Sequence, residues 1–238
     1  EICFSILMLF SFFSLFLFYN IIFLKEKTIN FFAEDLYLLF YLLALLIIFF
    51  VFFNFDYNFS SILFSLTSSV SNIGISLNNS TSNLSFVFLI LVIVGGSFFS
   101  TSSGLRFLKL YFLFKYSVNQ ILSYSKPNNI FVNKFHIIDS NIEQKDINKY
   151  FLSVLIFIIS FLTVSLFLTI YDINFSDAFR LSVLALMNTV NSSMYELNNF
   201  DFFGLSFYSK VILIISMIIG RVELLTILII FKKFLFKS

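Results

Sequence analysis

Residues 86–116 read FVFLILVIVGGSFFSTSSGLRFLKLYFLFKY, an apolar run, a knot of small residues from Gly95 to Gly104, and a second apolar run entered through Arg106 and Lys109. The stretch is long enough to cross a bilayer, which takes about 20 residues of helix. Yet its middle holds three of the chain's six glycines together with Ser97, Ser100, Thr101, Ser102 and Ser103, at a depth where backbone has no water to bond. A break in the helix is implied. Breaks at that depth are tolerated where the freed backbone is buried in protein or lines a water-filled cavity, so this span is expected to border a pathway.

Composition agrees with a membrane setting. Of 238 residues, 59% are hydrophobic and 12% charged, and the mean hydropathy of +0.98 lies outside the soluble globular range. Phe 39 beside Trp 0 fits an A+T-biased coding sequence, so the phenylalanines carry no functional weight. Cys3 is the only cysteine, which excludes an internal disulfide, and no Cys/His cluster has metal-ligand spacing. The single histidine, His136, stands in a polar stretch where a solvated role fits better than a ligand role. A lipid bilayer is the expected surrounding, and no nucleic-acid partner is expected. The chain starts at Glu1 and enters an apolar run at once, too long for a signal-peptide core and without a basic start. It reads as the later part of a longer protein.

Outward from residues 86–116, similar parts recur. Upstream, Leu36 to Phe53 is a full span, and Phe59 to Val70 mixes Phe, Ile and Leu with serines and Thr67. That second segment holds about a dozen residues and at 1.5 Å each reaches about half-way through a core of about 30 Å, as a re-entrant helix would. It runs into Ser71, Asn72, Ile73, Gly74 and Ile75. Downstream, a polar connection from Ser117 to Lys149 contains Pro127 and several lysines. Tyr150 to Tyr171 is a full span, Phe175 to Met187 a short amphipathic segment, and Asn188 to Ser192 a polar turn. A last span runs from Phe207 to about Phe231 and a basic tail follows, while Ile2 to Leu24 forms the first span. The order span, half-helix, polar turn, span thus occurs twice, with a period of roughly 110 residues when Gly74 is set against Asn191.

Charge sets the orientation. Lysines and arginines gather around Lys25, between Arg106 and Lys149, and in the tail, so these parts and the C-terminus are expected in the cytoplasm. The basic-poor connections near Asp56, Ser80, Asp172 and Glu196 are then external, and both half-helices enter from outside. A half-helix in that orientation aims its negative C-terminal end at the membrane centre. The extended turn after it is able to point carbonyl oxygens at a dehydrated cation. Gly74 suits such a turn through its access to positive φ, and Ser71 and Asn72 add neutral oxygens.

These residues resemble the Trk/Ktr/HKT potassium transporters, most closely the bacterial TrkH branch, whose members carry four repeats of span, pore helix, filter turn and span. Ser71 to Ile75 is similar to the third filter, and Asn188, Thr189, Val190, Asn191 and Ser192 align with the fourth. The stretch from Gly95 and Gly96 through Ser100 and Thr101 to Gly104 resembles the intramembrane loop that gates the third repeat, with Arg106 and Lys109 at the basic positions that follow. Gly220, Arg221, Val222 and Glu223 resemble the Gly-Arg-x-Glu signature of the last span. The implied fold is an all-α polytopic membrane protein built from units of a potassium-channel-like pore. Residues 1–35 correspond to a closing span and linker, 36–116 to the third repeat, 117–149 to a cytoplasmic connection and 150–238 to the fourth repeat.

The resemblance implies potassium uptake across the bacterial inner membrane, with potassium as the substrate held by filter backbone carbonyls. No cofactor and no catalytic residues are expected. It also implies a homodimer and a cytoplasmic nucleotide-binding regulatory subunit of the TrkA type, for which the basic region from Arg106 to Lys149 is either a docking face or a plain positive-inside loop. Arg221, which cannot lose its proton, is the implied pore arginine that repels cations and limits leak. Two departures matter. Asn191 replaces the expected glycine, and asparagine is the non-glycine residue that best tolerates positive φ, so the turn is expected to persist with either potassium or sodium selectivity. Ser102 and Ser103 replace loop glycines and are expected to stiffen the loop. A non-conducting remnant or scaffold is the other class consistent with Asn191. A membrane-embedded enzyme is disfavoured, because no paired intramembrane carboxylates or nucleophile with a base occur.

Overall fold

Long, wholly apolar segments alternate with short serine-rich ones, and the two kinds fold differently. In the computed structural model, residues 2–15, 17, 29–53, 59–76, 84–97, 100–125, 144–191, 193–197 and 200–221 are described. Among them are eight α-helices: α1 Ile2–Phe12, α2 Ile29–Phe53, α3 Phe59–Val70, α4 Ser85–Ile93, α5 Phe107–Ser125, α6 Gln144–Ile170, α7 Phe175–Met187 and α8 Phe207–Arg221. A 3₁₀ turn covers Ser193–Tyr195, and an isolated β-bridge joins Val94 to Leu105. The lysines of the tail, Pro127, His136, Ser192, Val222, Glu223 and the end of the last span lie outside the described residues.

The short helices form the centre. α3 with the two residues after it is buried continuously from Phe64 through Asn72, and α7 from Leu181 through Met187. Their apolar side chains, with Phe88 and Val92 of α4, make one core cluster. Two buried hydroxyls on α3 bond back to their own helix, Thr67 Oγ1 donating to Leu63 O at 2.9 Å and Ser69 Oγ to Leu66 O at 2.9 Å, while Ser65 Oγ is buried without a partner. Such back-bonding satisfies hydroxyls that a short polar helix carries into the protein interior.

The long helices stand outside. α2 and α6 contain windows, Glu34–Val51 and Ile147–Ile170, long and apolar enough to cross a membrane. They expose Phe40, Ile47, Val51, Phe151, Ile158, Leu166 and Phe167, surface that lipid rather than water covers. Both helices begin earlier than the apolar pattern, at Ile29 and Gln144, because polar residues extend a helix once it reaches the interface. In lipid no hydrophobic force pulls helices together, so association rests on close packing and hydrogen bonds. α7 packs on both α6 and α8, and α1 packs on α3.

The first span departs from expectation. A continuous helix from Ile2 to Leu24 is not what forms, since α1 ends at Phe12 and Phe13 and Ser14 are non-helical. Two of the last α1 carbonyls are taken by another segment: Ser97 N–H donates to Phe12 O at 3.1 Å and Ser102 N–H to Ser11 O at 3.2 Å. Beyond the break, Ser14 donates its N–H (3.1 Å) and its Oγ–H (2.7 Å) to the two carboxylate oxygens of buried Asp35.

Candidate pathway through the membrane

The two half-helices end in the same way. Asn72 N–H donates to Ser69 O (3.1 Å) and Ile73 N–H to Ser68 O (3.0 Å), while Asn188 N–H donates to Ala185 O (3.2 Å) and Thr189 N–H to Leu184 O (3.0 Å). These are the paired bonds of a Schellman cap, whose key residue is left-handed. Asn72 (φ 60°) and Asn188 (φ 54°) occupy that position. The caps therefore register Asn72 with Asn188 and Gly74 with Val190, one residue away from the pairing of Gly74 with Asn191 expected from sequence. Asn191 correspondingly lacks the positive φ expected of it, whereas Gly74 has φ +81°.

The two turns touch. Val190 N–H donates to Ile73 O at 3.1 Å, and a Cβ added to Gly74 would lie 2.3 Å from Val190 O and 2.5 Å from Thr189 Cγ2. Farther along, the hydroxyls of Ser76 and Ser193 hydrogen-bond at 2.6 Å. The expected filter residues Ser71, Asn72, Ile73, Gly74, Asn188, Thr189, Val190 and Asn191 thus lie in adjoining turns. Asn72 Oδ1, Thr189 Oγ1 and Asn191 Oδ1 are buried there without a hydrogen-bond partner.

The small-residue stretch is a closed loop between α4 and α5. Its neck is sewn by Gly95 N–H to Leu105 O (2.8 Å), Leu105 N–H to Ile93 O (3.2 Å) and Phe107 N–H to Gly96 O (3.1 Å). At Gly96 a Cβ would meet Phe12 O at 2.3 Å, so the loop presses on the broken end of α1. Inside the loop, Ser102 Oγ accepts Gly96 N–H at 2.9 Å and hydrogen-bonds Ser100 Oγ at 2.9 Å. The serine at 102 is therefore a bonded member of the loop, with Gly104 (φ +99°) carrying the left-handed turn.

Arg106 fills the loop from its C-terminal end. Its Nη1, with two N–H bonds to give, sits among four acceptors within hydrogen-bond distance: Ser97 O (3.2 Å), Ser100 O (3.1 Å), Ser100 Oγ (3.2 Å) and Ser102 O (3.3 Å). A guanidinium is always charged and presents several donors in a rigid fork, which suits it to gathering carbonyls. Hydrogen bonds to a charged group are worth about 1.5–3 kcal/mol. Arg106→Gln is accordingly expected to speed amide hydrogen exchange across residues 97–103 by at least about tenfold, read by mass spectrometry of the protein in lipid nanodiscs. Unchanged exchange would show that the fork does not hold the loop.

Beneath the loop lies a cavity of about 300 Å³ lined by Ser100, Thr101, Ser102, Ser103, Gly104, Leu105, Arg106, Lys109, Ser153, Phe157, Gly220 and Arg221. Arg221, the implied pore arginine and the last described residue of α8, lines the loop's cavity and is exposed. Sequence reasoning missed the contact made at Gly220, which it read only as part of the Gly-Arg-x-Glu signature: an added Cβ would stand 1.8 Å from Leu186 O. It also passed over Arg180, which pairs with Glu196 and Asp177 outside the turns. The signature marks Gly220 in the sequence, but it does not say which helix approaches it.

Known proteins resemble the chain in sequence pattern and in fold. The family described as TrkH, cation transport protein, matches residues 78–237. The crystal structure of the potassium transporter TrkH from Vibrio parahaemolyticus superposes with a TM-score of 0.77 at 18% identity, covering 95% of this chain and 50% of that one. The chain thus spans half the length of that protein. No curated protein sequence matches the chain.

Proposed function

The chain belongs to the TrkH cation transport family, and from that premise we propose that it forms the third and fourth repeats of a potassium-uptake subunit in a bacterial inner membrane. Cations enter from outside, pass the turns at Gly74 and Val190, and are held or released by the loop from Gly95 to Gly104. One observation carries the reading. Two buried half-helices, too short at about 18–20 Å to span the core, end in adjoining capped turns, with a hydrogen-bonded loop and a polar cavity on the path beyond. The C-terminal dipole of each half-helix favours a cation at the turns.

Potassium is the substrate, and backbone carbonyls of the turns supply its ligands. In this reading Arg221 raises a barrier below the loop rather than at the filter, because it lines the loop's cavity. A homodimer carrying a cytoplasmic nucleotide-binding regulatory subunit of the TrkA type completes the assembly. A sodium-permeable relative is the second reading, favoured by one feature: Asn191 Oδ1 is buried without a partner and adds a side-chain oxygen to the turns.

Complementation of a potassium-uptake-deficient bacterium with the full-length protein tests this. Growth at low potassium is expected, and it is expected to survive Arg221→Ala, since removing a barrier does not remove the path. Failure of the wild type to rescue growth at any sodium level would refute the potassium reading. Rescue lost as sodium rises would favour the second.

A further inference from the structure

On the reading of residues 95–104 as the closing element of a transport pathway, we propose that Asn72 is a latch whose side-chain amide ties this loop to the end of half-helix α3. Asn72 Nδ2 donates to Ser103 O at 2.8 Å across 31 residues of sequence. The acceptor is a carbonyl, which only accepts, so the amide nitrogen is the end that faces it. Ser103 precedes Gly104, whose φ of +99° turns the chain back toward the neck. Arg106 ties the loop to itself, whereas Asn72 ties it to the turn that holds Gly74.

The second repeat shows the same device with a different acceptor. Asn188, the left-handed residue of the α7 cap, donates its Nδ2 to Met217 O at 3.0 Å. In both repeats an asparagine satisfies the cap and sends its amide to a backbone carbonyl of the span that follows. In the fourth repeat that carbonyl belongs to the helix α8, and in the third it belongs to the loop. Glycine would meet the left-handed requirement with less strain and no donor. The residue present at both caps is one that meets it and donates. Release of the loop from the turn therefore requires the Asn72 bond to break, while the Asn188 bond joins parts that have no loop to release.

Thiol labelling of the full-length protein in native membranes tests the latch. Ser97 is fully buried and its hydroxyl has no partner, so Ser97→Cys places a reporter in the loop without removing a bond, in a Cys3→Ser background. The reagent is a water-soluble maleimide, and rubidium tracer uptake is followed in parallel. Asn72→Gly keeps the left-handed turn and deletes the donor, and Asn72→Asp keeps size and turn tolerance without a donor. Each is expected to raise the labelling rate at position 97 by about fivefold, the effect of losing one net hydrogen bond. Asn188→Gly is expected to leave the rate within about twofold, as it ties no loop. Unchanged labelling in both Asn72 variants, or an equal rise in Asn188→Gly, would overturn the latch. If Asn72→Gly fails to reach the membrane, Asn72→Asp decides. Faster labelling in a protein whose wild type takes up no rubidium would uphold the latch and reject the transport reading.

Discussion

Gly74→Ala is expected to abolish growth rescue at low potassium while leaving the protein in the membrane. Two costs add at this position. An alanine at φ +81° pays the left-handed penalty of about 1–2 kcal/mol. Its Cβ would also stand 2.3 Å from Val190 O and 3.0 Å from Val190 N, both backbone atoms that cannot swing aside as a side chain would. The two turns must separate, and the bond from Val190 N–H to Ile73 O is lost with that movement. Together these come to about 3 kcal/mol, enough to cut transport about a hundredfold at 1.4 kcal/mol per factor of ten. Full rescue by Gly74→Ala would remove the turn from the pathway.

Gly220→Ala is expected to loosen the whole fourth repeat. Helix propensity alone favours the substitution by about 1 kcal/mol, since glycine is a poor helix former. Packing opposes it more strongly. The new Cβ would lie 1.8 Å from Leu186 O, 2.7 Å from Leu186 C and 3.0 Å from Leu186 Cα, so α8 must retreat from α7. That retreat also strains the bond from Asn188 to Met217 O. Small residues at helix crossings supply much of the association in lipid, where no hydrophobic force replaces lost contact. With overpacking at about 3 kcal/mol set against about 1 kcal/mol of propensity, the net of about 2 kcal/mol is expected to make the detergent-solubilised protein melt roughly 4–8 °C lower. A melting temperature equal to or above wild type would show that propensity wins and that the two helices do not approach so closely.

Much of the fold was legible because it follows from length and polarity. Segments 59–70 and 175–187 stood out as too short to span and too polar to face lipid, and they coincide with α3 and α7. The glycine and serine knot stood out as backbone that no lipid-facing helix accommodates. What could not be read depends on contacts between distant segments. The break of α1 after Phe12 has no glycine or proline to announce it, because the cause is the pair of N–H groups from Ser97 and Ser102. The pairing of Gly74 with Asn191 followed spacing, and the cap bonds place Asn188 one register away. Arg106 read as a positive-inside residue, yet its neighbours in space are the carbonyls of the loop before it. Asn72 read as a neutral oxygen and Asn188 as part of a polar turn, and the structure uses the side-chain nitrogens of both.

The central claim is that this chain contributes to a cation path running past Gly74 and beneath the loop from Gly95 to Gly104. Rubidium tracer uptake by the purified full-length protein in liposomes tests it most directly. The account predicts saturable uptake, competed by potassium more strongly than by sodium and faster in Arg106→Gln, whose loop is less firmly held. Uptake no faster than in protein-free liposomes, for the wild type and Arg106→Gln alike, would contradict it.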